Sequence, residues 1–164
     1  MNIRHATSQD LSAIVAIYNE TIPSRQVTAD TEPVSVAQKQ SWFDAHTDNR
    51  PIYVVEQESR IVAWLSFSNF YGRPAYSGTA EVSIYLAKAA QGQGLGNQLM
   101  TFAQAQAPKL QISTLLGFIF SHNSPSIRLF EKHGFQKWGE LPNVAMMDGN
   151  SYSLTILGKS LVEV

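Results

Sequence analysis

The chain of 164 residues contains no cysteine. That absence removes a thiol nucleophile, a thiolate metal site and a disulfide framework. It is compatible with a reducing compartment, and the cytoplasm is the expected location. Charge of a single sign is also missing: 12 Lys and Arg stand against 13 Asp and Glu. No five like charges follow one another, so the chain carries no footprint for nucleic acid or for an anionic membrane surface, and neither is expected as a partner. No run of 18 apolar residues spans a bilayer, and the opening Met1-Asn2-Ile3-Arg4-His5-Ala6-Thr7 lacks the apolar stretch of a signal peptide. Four histidines are scattered without metal-ligand spacing, so no metal is expected. Repeats, low-complexity segments and domain linkers are absent too.

What is present is an ordinary globular composition, 44% hydrophobic. The length suits one domain over residues 1–164. A domain of this size buries roughly 70% of the surface of its unfolded chain, enough for a core without staples.

The pattern alternates between two periods. Residues 2–6 read as a short strand. Ser8 is the expected cap of a helix over 9–20, where Leu11, Ile14, Val15, Ile17 and Tyr18 recur at helical spacing. Residues 23–34, with two prolines, read as a loop, and 35–46 as a second helix. Strands follow at 52–56 and 61–67 around a polar turn, then at 79–86. A glycine loop at 91–96 leads into a helix that ends before Pro108. A buried strand covers 112–120, a helix 124–133 closes at Gly134, and the last strands are 135–140 and 152–157. Strands and helices mix without strict alternation, which predicts an α+β or mixed α/β arrangement on one sheet.

Gln91-Gly92-Gln93-Gly94-Leu95-Gly96 lies between a strand and a helix. Glycines let a backbone approach a phosphate, and their N–H groups converge as a nest. The following helix start adds free donors and a positive dipole end. A Walker loop would need Gly-Lys-Ser/Thr, and Gly96-Asn97-Gln98 lacks it. A dinucleotide fingerprint would need G-x-G-x-x-G directly after the strand, but the spacing here is G-x-G-x-G and Ala87 to Ala90 intervene. Two readings stay open: a site for the pyrophosphate of coenzyme A, or a turn followed by a closely packed helix.

At these residues the chain resembles the GNAT superfamily of N-acetyltransferases. Gln91 to Gly96 matches that family's [RQ]-x-x-G-x-[GA] pattern. Ser121-His122-Asn123-Ser124-Pro125-Ser126-Ile127-Arg128-Leu129-Phe130, running on to Gly134-Phe135, is similar to its N-x-x-S/A-x-x-L-…-G-F segment. Ile17-Tyr18-Asn19, Thr31-Glu32-Pro33, Trp42-Phe43, Arg73-Pro74-Ala75-Tyr76 and Thr79 to Leu86 narrow the resemblance to the phosphinothricin and methionine sulfoximine acetyltransferase group. It covers nearly the whole chain. It implies the GNAT fold, a twisted mixed sheet of about seven strands splayed between the fourth and fifth, flanked by about four helices. It also implies acetyl-CoA as co-substrate, a small-molecule amine such as an L-amino acid as acceptor, and a homodimer.

Amine acetylation requires an anchored thioester, a donor for the developing oxyanion and a base for the ammonium proton. No covalent intermediate is needed. The backbone of Gln91, Gly92, Gln93, Gly94, Leu95, Gly96 and Asn97 is the expected pyrophosphate site. In the family a strand like Val82-Ser83-Ile84-Tyr85-Leu86 pairs with pantetheine and offers an oxyanion N–H. Glu81 shares a strand face with Ser83 and Tyr85; the group has a Glu here, so Glu81 is the candidate base, against a purely structural carboxylate. Asn123 is implied to bond pantetheine, besides starting its helix, and Ser126 to contact phosphate. Arg73 suits a substrate carboxylate through its guanidinium fork, against a solvated loop arginine. Asn19 and Glu32 are candidates to orient the amine or the 23–34 loop, with Glu32 alternatively a helix cap. His122 and His133 are kept out as structural.

Three departures from the group stand out. Many members carry a tyrosine as general acid where Phe130 stands, so either the thiolate leaves unassisted, water serves, or Tyr85 or another group substitutes. Ala29 replaces an aromatic residue. Met146-Met147-Asp148 and Asn150-Ser151-Tyr152-Ser153 replace a C-terminal basic, Trp and Asp pattern. The acceptor is therefore open, and protein acetylation or a non-catalytic acyl-CoA sensor remain competing readings.

Overall fold

The computed structural model describes residues 1–162. Its elements are β1 (Asn2–His5), α1 (Leu11–Glu20), α2 (Val36–Asp44), β2 (Ile52–Gln57), β3 (Arg60–Asn69), β4 (Thr79–Leu86), α3 (Leu95–Gln106), β5 (Thr114–Phe120), α4 (Ser124–Lys132), β6 (Gln136–Met147) and β7 (Asn150–Ser160). The strands form one seven-stranded sheet in the order β1-β2-β3-β4-β5-β7-β6. Every neighbouring pair is antiparallel except β4 with β5. This is the mixed sheet that the sequence pattern predicts. Among the described residues no helix is long and apolar enough to cross a membrane.

Strand alternation sends side chains to two different layers. On one face Leu65 and Phe67 of β3 and Ala80 and Val82 of β4 pack with Leu95, Leu99, Met100 and Ala103 of α3. On the other, Ile52 and Val54 of β2 and Trp64 of β3 pack with Ile14, Ile17 and Tyr18 of α1. Each fully buried side chain of this size contributes about 1.5–3 kcal/mol, so the helices are fixed by the apolar stripes that named them. Gly134, with φ of +89°, ends α4 as expected.

Local differences have local causes. Thr7, not Ser8, precedes the first turn: the Asp10 carboxylate accepts from the Thr7 backbone N–H at 2.7 Å and is gripped by Arg4 at 2.7 and 2.9 Å. Ser35 caps α2 by accepting from the Gln38 N–H at 3.1 Å, while Gln38 accepts from the Ser35 N–H at 2.8 Å. β5 begins at Thr114, because the Ser113 and Thr114 N–H groups both donate to Gly78 O. The last two strands are longer than the pattern predicts. They meet at Asp148 and Gly149, both with positive φ, a two-residue hairpin turn. Pro142 and Asn143 hid this extension: they sit where β6 bulges between Leu141 and Ala145, a place where a sheet tolerates proline.

The feature that positions a site is the parallel pair. β4 and β5 are joined only at Thr79↔Thr114, Ala80↔Leu115 and Glu81↔Leu116. Beyond Glu81 β4 continues to Leu86, while β5 stays with β7 along its length, from Thr114↔Ser160 to Phe120↔Leu154. A wedge therefore opens between Val82–Leu86 and Gly117–Phe120.

Candidate active site

The wedge exposes backbone on one edge of β4. The Ala87 N–H donates to Val62 O at 2.8 Å. Counting back by the two-residue alternation of an antiparallel ladder, Tyr85 and Ser83 spend their backbone groups on β3. The N–H and C=O groups of Val82, Ile84 and Leu86 point the other way, into the wedge. Of the predicted strand residues, these three can pair with a ligand through the main chain, whereas Ser83 can offer only its side chain. A slot of about 60 Å³ lies there, lined by Val82, Ile84, Phe118, Asn123, Ser126 and Phe130 among others.

Asn123 is buried at the mouth of α4 and does two things at once. Its Oδ1 accepts from the Ser126 N–H at 3.3 Å, which caps the helix. Its amide NH2 has no partner among the described residues and remains available to the slot. Phe130 is 5% exposed and packs against Phe135 at 4.9 Å.

The glycine loop divides by position. Gly92 and Gly94 both have φ of +76°, and a Cβ on either would meet nothing within 4 Å. Conformation, not crowding, requires glycine there, and the open space leaves room for an anion. Gly94 is the N-cap of α3 and supplies no side-chain cap, so the first-turn N–H groups, including those of Leu95, Gly96 and Asn97, lack intrahelical partners. Gly96 is different: its Cβ would stand 3.4 Å from Leu129 Cδ2, so it serves close packing of α3 on α4. The Leu95 side chain is buried in the core, and Asn97 Oδ1 bonds His133 Nε2 at 3.0 Å. Leu95 can serve a ligand only through the backbone. Gln91 and Gln93 are exposed, with Gln93 Nε2 3.4 Å from Ala89 O.

A second cavity of about 240 Å³ opens on the α1 side of the sheet, lined by Tyr18, Lys39, Trp42, Trp64, Ser66, Ser68, Glu81, Ser83 and Tyr85. Register explains this set, since Trp64↔Tyr85, Ser66↔Ser83 and Ser68↔Glu81 are cross-strand pairs on one face. Ser83 and Tyr85 line both the cavity and the slot, so the two spaces adjoin. Glu81 forms no ion pair among the described residues. Burial raises its pKa above the usual carboxylate value, with a bond from Ser83 pulling weakly downward. Tyr85 stacks flat on Trp64 at 4.4 Å and lies 5.5 Å from Tyr18. Its pKa is driven well up by burial, and further by the Tyr18 and Glu81 charges. The phenol therefore keeps its proton at any ordinary pH. Burial and then an Asp30 hydrogen bond push Tyr18 up to about 12.

Other candidates stand apart. Arg73 is exposed and lines a different cavity with Arg50, Asn69 and Tyr71, so one chain does not bring it to Glu81. Asn19 exchanges two 2.9 Å bonds with the Val34 backbone and so ties down the loop between α1 and α2. Glu32 is exposed on that loop. His122 Nε2 bonds Arg25 O at 2.8 Å and stacks beside Phe120, and His133 links Asn97 to Gln104; both hold structure. Among the described residues no group of three or more His, Asp or Glu side chains is arranged to hold a metal.

Sequence reasoning missed Lys39, Trp64, Ser66 and His46. Lys39 and Trp42 share a helix face at i, i+3, a signal that was readable. The serines and Trp64 required the β3–β4 register. His46 Nδ1 lies 2.8 Å from Trp42 O, and Nε2 lies 3.5 Å from Ser68 Oγ. Burial lowers its pKa, and the neutral ring donates from Nδ1.

Residues 14–135 match the Acetyltransferase (GNAT) family. A Bacillus subtilis protein named "Putative phosphinothricin acetyltransferase YwnH" is 55% identical over 98% of this chain and 99% of its own. An L-methionine sulfoximine/L-methionine sulfone acetyltransferase of Pseudomonas paraeruginosa is 30% identical over 98% of this chain and 94% of its own. Among solved structures, the one titled "Structure of yncA, a putative ACETYLTRANSFERASE from Salmonella typhimurium with its cofactor Acetyl-CoA" superimposes with a TM-score of 0.89 at 27% identity, covering 99% and 95% of the two chains.

Proposed function

The chain belongs to the GNAT family of acetyltransferases, and on that footing we propose that it moves the acetyl group of acetyl-CoA to the primary amine of a free L-amino acid or close analogue. The observation that carries this reading is the meeting of two spaces at Ser83 and Tyr85: a backbone-lined slot on one side and, on the other, a cavity lined by a half-buried Glu81 that forms no ion pair among the described residues. The acceptors named for the Pseudomonas relative are amino acids of a size suited to about 240 Å³.

In the proposed reaction the free N–H groups at Gly92 to Asn97 hold the pyrophosphate, and the freed β4 edge at Val82, Ile84 and Leu86 pairs with the pantetheine arm. An edge N–H donates to the developing oxyanion. Asn123 donates its amide to the arm, and Ser126 lies beside it. Glu81, made a stronger base by burial, takes the ammonium proton directly or through a water. The amine then attacks the thioester and the thiolate leaves. Phe130 has no proton to give, so the thiolate leaves unassisted or takes a proton from water, from Tyr85, which lines both spaces, or from another group.

All 164 residues act as one acetyltransferase domain. Exposed Leu141, Val144 and Met146 on the β6 edge, with Tyr71 and Tyr76, support a homodimer, in which a partner's loop is the route by which Arg73 reaches an acceptor. The reaction is placed in the cytoplasm, where acetyl-CoA is supplied.

The test is thiol release from acetyl-CoA against amino acids, methionine sulfone, phosphinothricin, polyamines and short peptides. Turnover on an amino acid, abolished by blocking its α-amine, is the expected result. Glu81→Gln should lower kcat by about 10²–10⁴-fold with acetyl-CoA affinity kept. Turnover on peptides alone would reassign the enzyme to protein acetylation, and tight acetyl-CoA binding without any turnover would make it a sensor.

A further inference from the structure

Lys39 stands in the wall of the acceptor cavity, and the proposed reaction leaves it without a task. It projects from α2, half-buried. Its ammonium lies 4.7 Å from the centroid of the Tyr18 ring and 5.6 Å from that of Trp42. Both rings line the same cavity, and such contacts hold a cation in place.

The aromatic clamp does not use the ammonium's three N–H donors. Among the described residues Lys39 makes no ion pair and no side-chain hydrogen bond. Two carboxylates lie nearby. Glu81 shares the cavity lining, and Asp30 receives the Tyr18 hydroxyl; neither comes within ion-pair reach of Lys39. The cavity thus holds a fixed cation and a separate fixed anion, with Ser66, Ser68 and Ser83 and aromatic rings between them.

We propose that Lys39 binds the carboxylate of the acceptor and so selects zwitterionic amino acids over plain amines. The inference rests on the acetyltransferase reading above and adds the residue that sets its substrate class. An α-amino acid carries the complementary pair of charges: its ammonium faces Glu81, and its carboxylate faces Lys39. Without the lysine, the acceptor carboxylate would enter a cavity whose ionised group is Glu81, and like charges would repel. The same cation works against acceptors with a second amine, which is exclusion as well as attraction. Arg73, the residue favoured for this role by sequence alone, lines another cavity of the same chain.

The experiment compares L-methionine sulfone with its α-carboxamide, which keeps the amine and side chain but loses the negative charge. In the Lys39→Met variant the KM for the amino acid should rise about 10- to 100-fold, the scale of one hydrogen bond to a charged group. The KM for the amide should move less than about threefold on the same reasoning. Acetyl-CoA affinity and melting temperature serve as controls, and Lys39→Arg should restore part of the preference. Equal changes for both acceptors, or none, would overturn the assignment while leaving the acetyltransferase reading intact. Failure of the wild-type protein to acetylate either acceptor, or any other amine, would instead sink that reading and this one with it.

Discussion

Gly117→Ala is a sharp test of what holds the wedge open. Gly117 follows Leu116, the last β5 residue paired with β4, and it faces Leu157 of β7. A Cβ there would stand 2.4 Å from Phe130 Cε2, 2.9 Å from Cδ2 and 3.0 Å from Cζ. The ring cannot turn aside freely, since Phe130 is 5% exposed and meets Phe135 at 4.9 Å. Overpacking of this kind costs about 1–3 kcal/mol. At about 2–4 °C per kcal/mol for a chain of this length, the melting temperature should fall by about 2–12 °C. Relief requires α4 to shift, and α4 starts at the Asn123 cap in the slot, so acetyl-CoA affinity should weaken as well. Calorimetry and a binding titration read the two effects. Phe130→Leu is expected to destabilise the wild type but to recover stability in the Gly117→Ala background, with a coupling of about 0.5–3 kcal/mol. A melting temperature within about 1 °C of wild type, or strictly additive variants, would refute the claim that this ring occupies the space above Gly117.

Other perturbations separate the two halves of the site. Glu81 has its pKa raised, so its base form is lost as pH falls through a value above the ordinary carboxylate range of about 4.3; kcat/KM should show that acid limb, and a limb unchanged in Glu81→Gln would assign it to another group. Gly94→Ala forces φ of +76° on a residue with a Cβ, which costs about 1–2 kcal/mol. The new methyl meets no protein atom, so acetyl-CoA binding should suffer more than folding, and a lower melting temperature with unchanged affinity would count against the phosphate role. Asn19→Ala removes both 2.9 Å bonds to Val34, worth about 1–3 kcal/mol. It should raise the acceptor KM by loosening the loop whose Asp30 holds Tyr18, while acetyl-CoA affinity stays put; an unchanged acceptor KM would show that the loop does not shape the cavity.

The sequence was most readable where one signal was local and strong. The apolar stripe of α1 and the Gly134 stop of α4 fall where periodicity puts them. The run from Thr79 to Leu86 is a strand end to end. The β6–β7 hairpin was misjudged because Pro142 and Asn143 interrupt the alternation inside a strand, and a bulge absorbs them. The site was legible along β4 and the glycine loop, where function follows from backbone conformation in one segment. It was not legible for Lys39, Trp64 and Ser66, which reach the cavity from other elements. Arg73 illustrates the converse. Its guanidinium suits a carboxylate, but within one chain the β3–β4 connection sets it in another cavity, so a role at the acceptor would need a partner's loop, which no local pattern encodes.

The period-two geometry of β4 explains how one short strand can serve two substrates. In-plane groups and side chains of a strand point along different axes, and each alternates with the same period. At Glu81, Ser83 and Tyr85 the side chains face the acceptor cavity while the main chain is tied to β3. At Val82, Ile84 and Leu86 the main chain is turned toward the wedge, and the side chains pack on the α3 side. The base is thus carried by residues whose backbones are already satisfied and rigid. The thioester arm is offered residues whose backbones are unsatisfied, and pairing is the means of satisfying them. A sheet that kept β4 and β5 joined past Glu81 would spend those same groups on β5. The separation after the third pair is therefore what turns a buried strand into a binding edge, and it leaves Glu81 at the point where that edge begins.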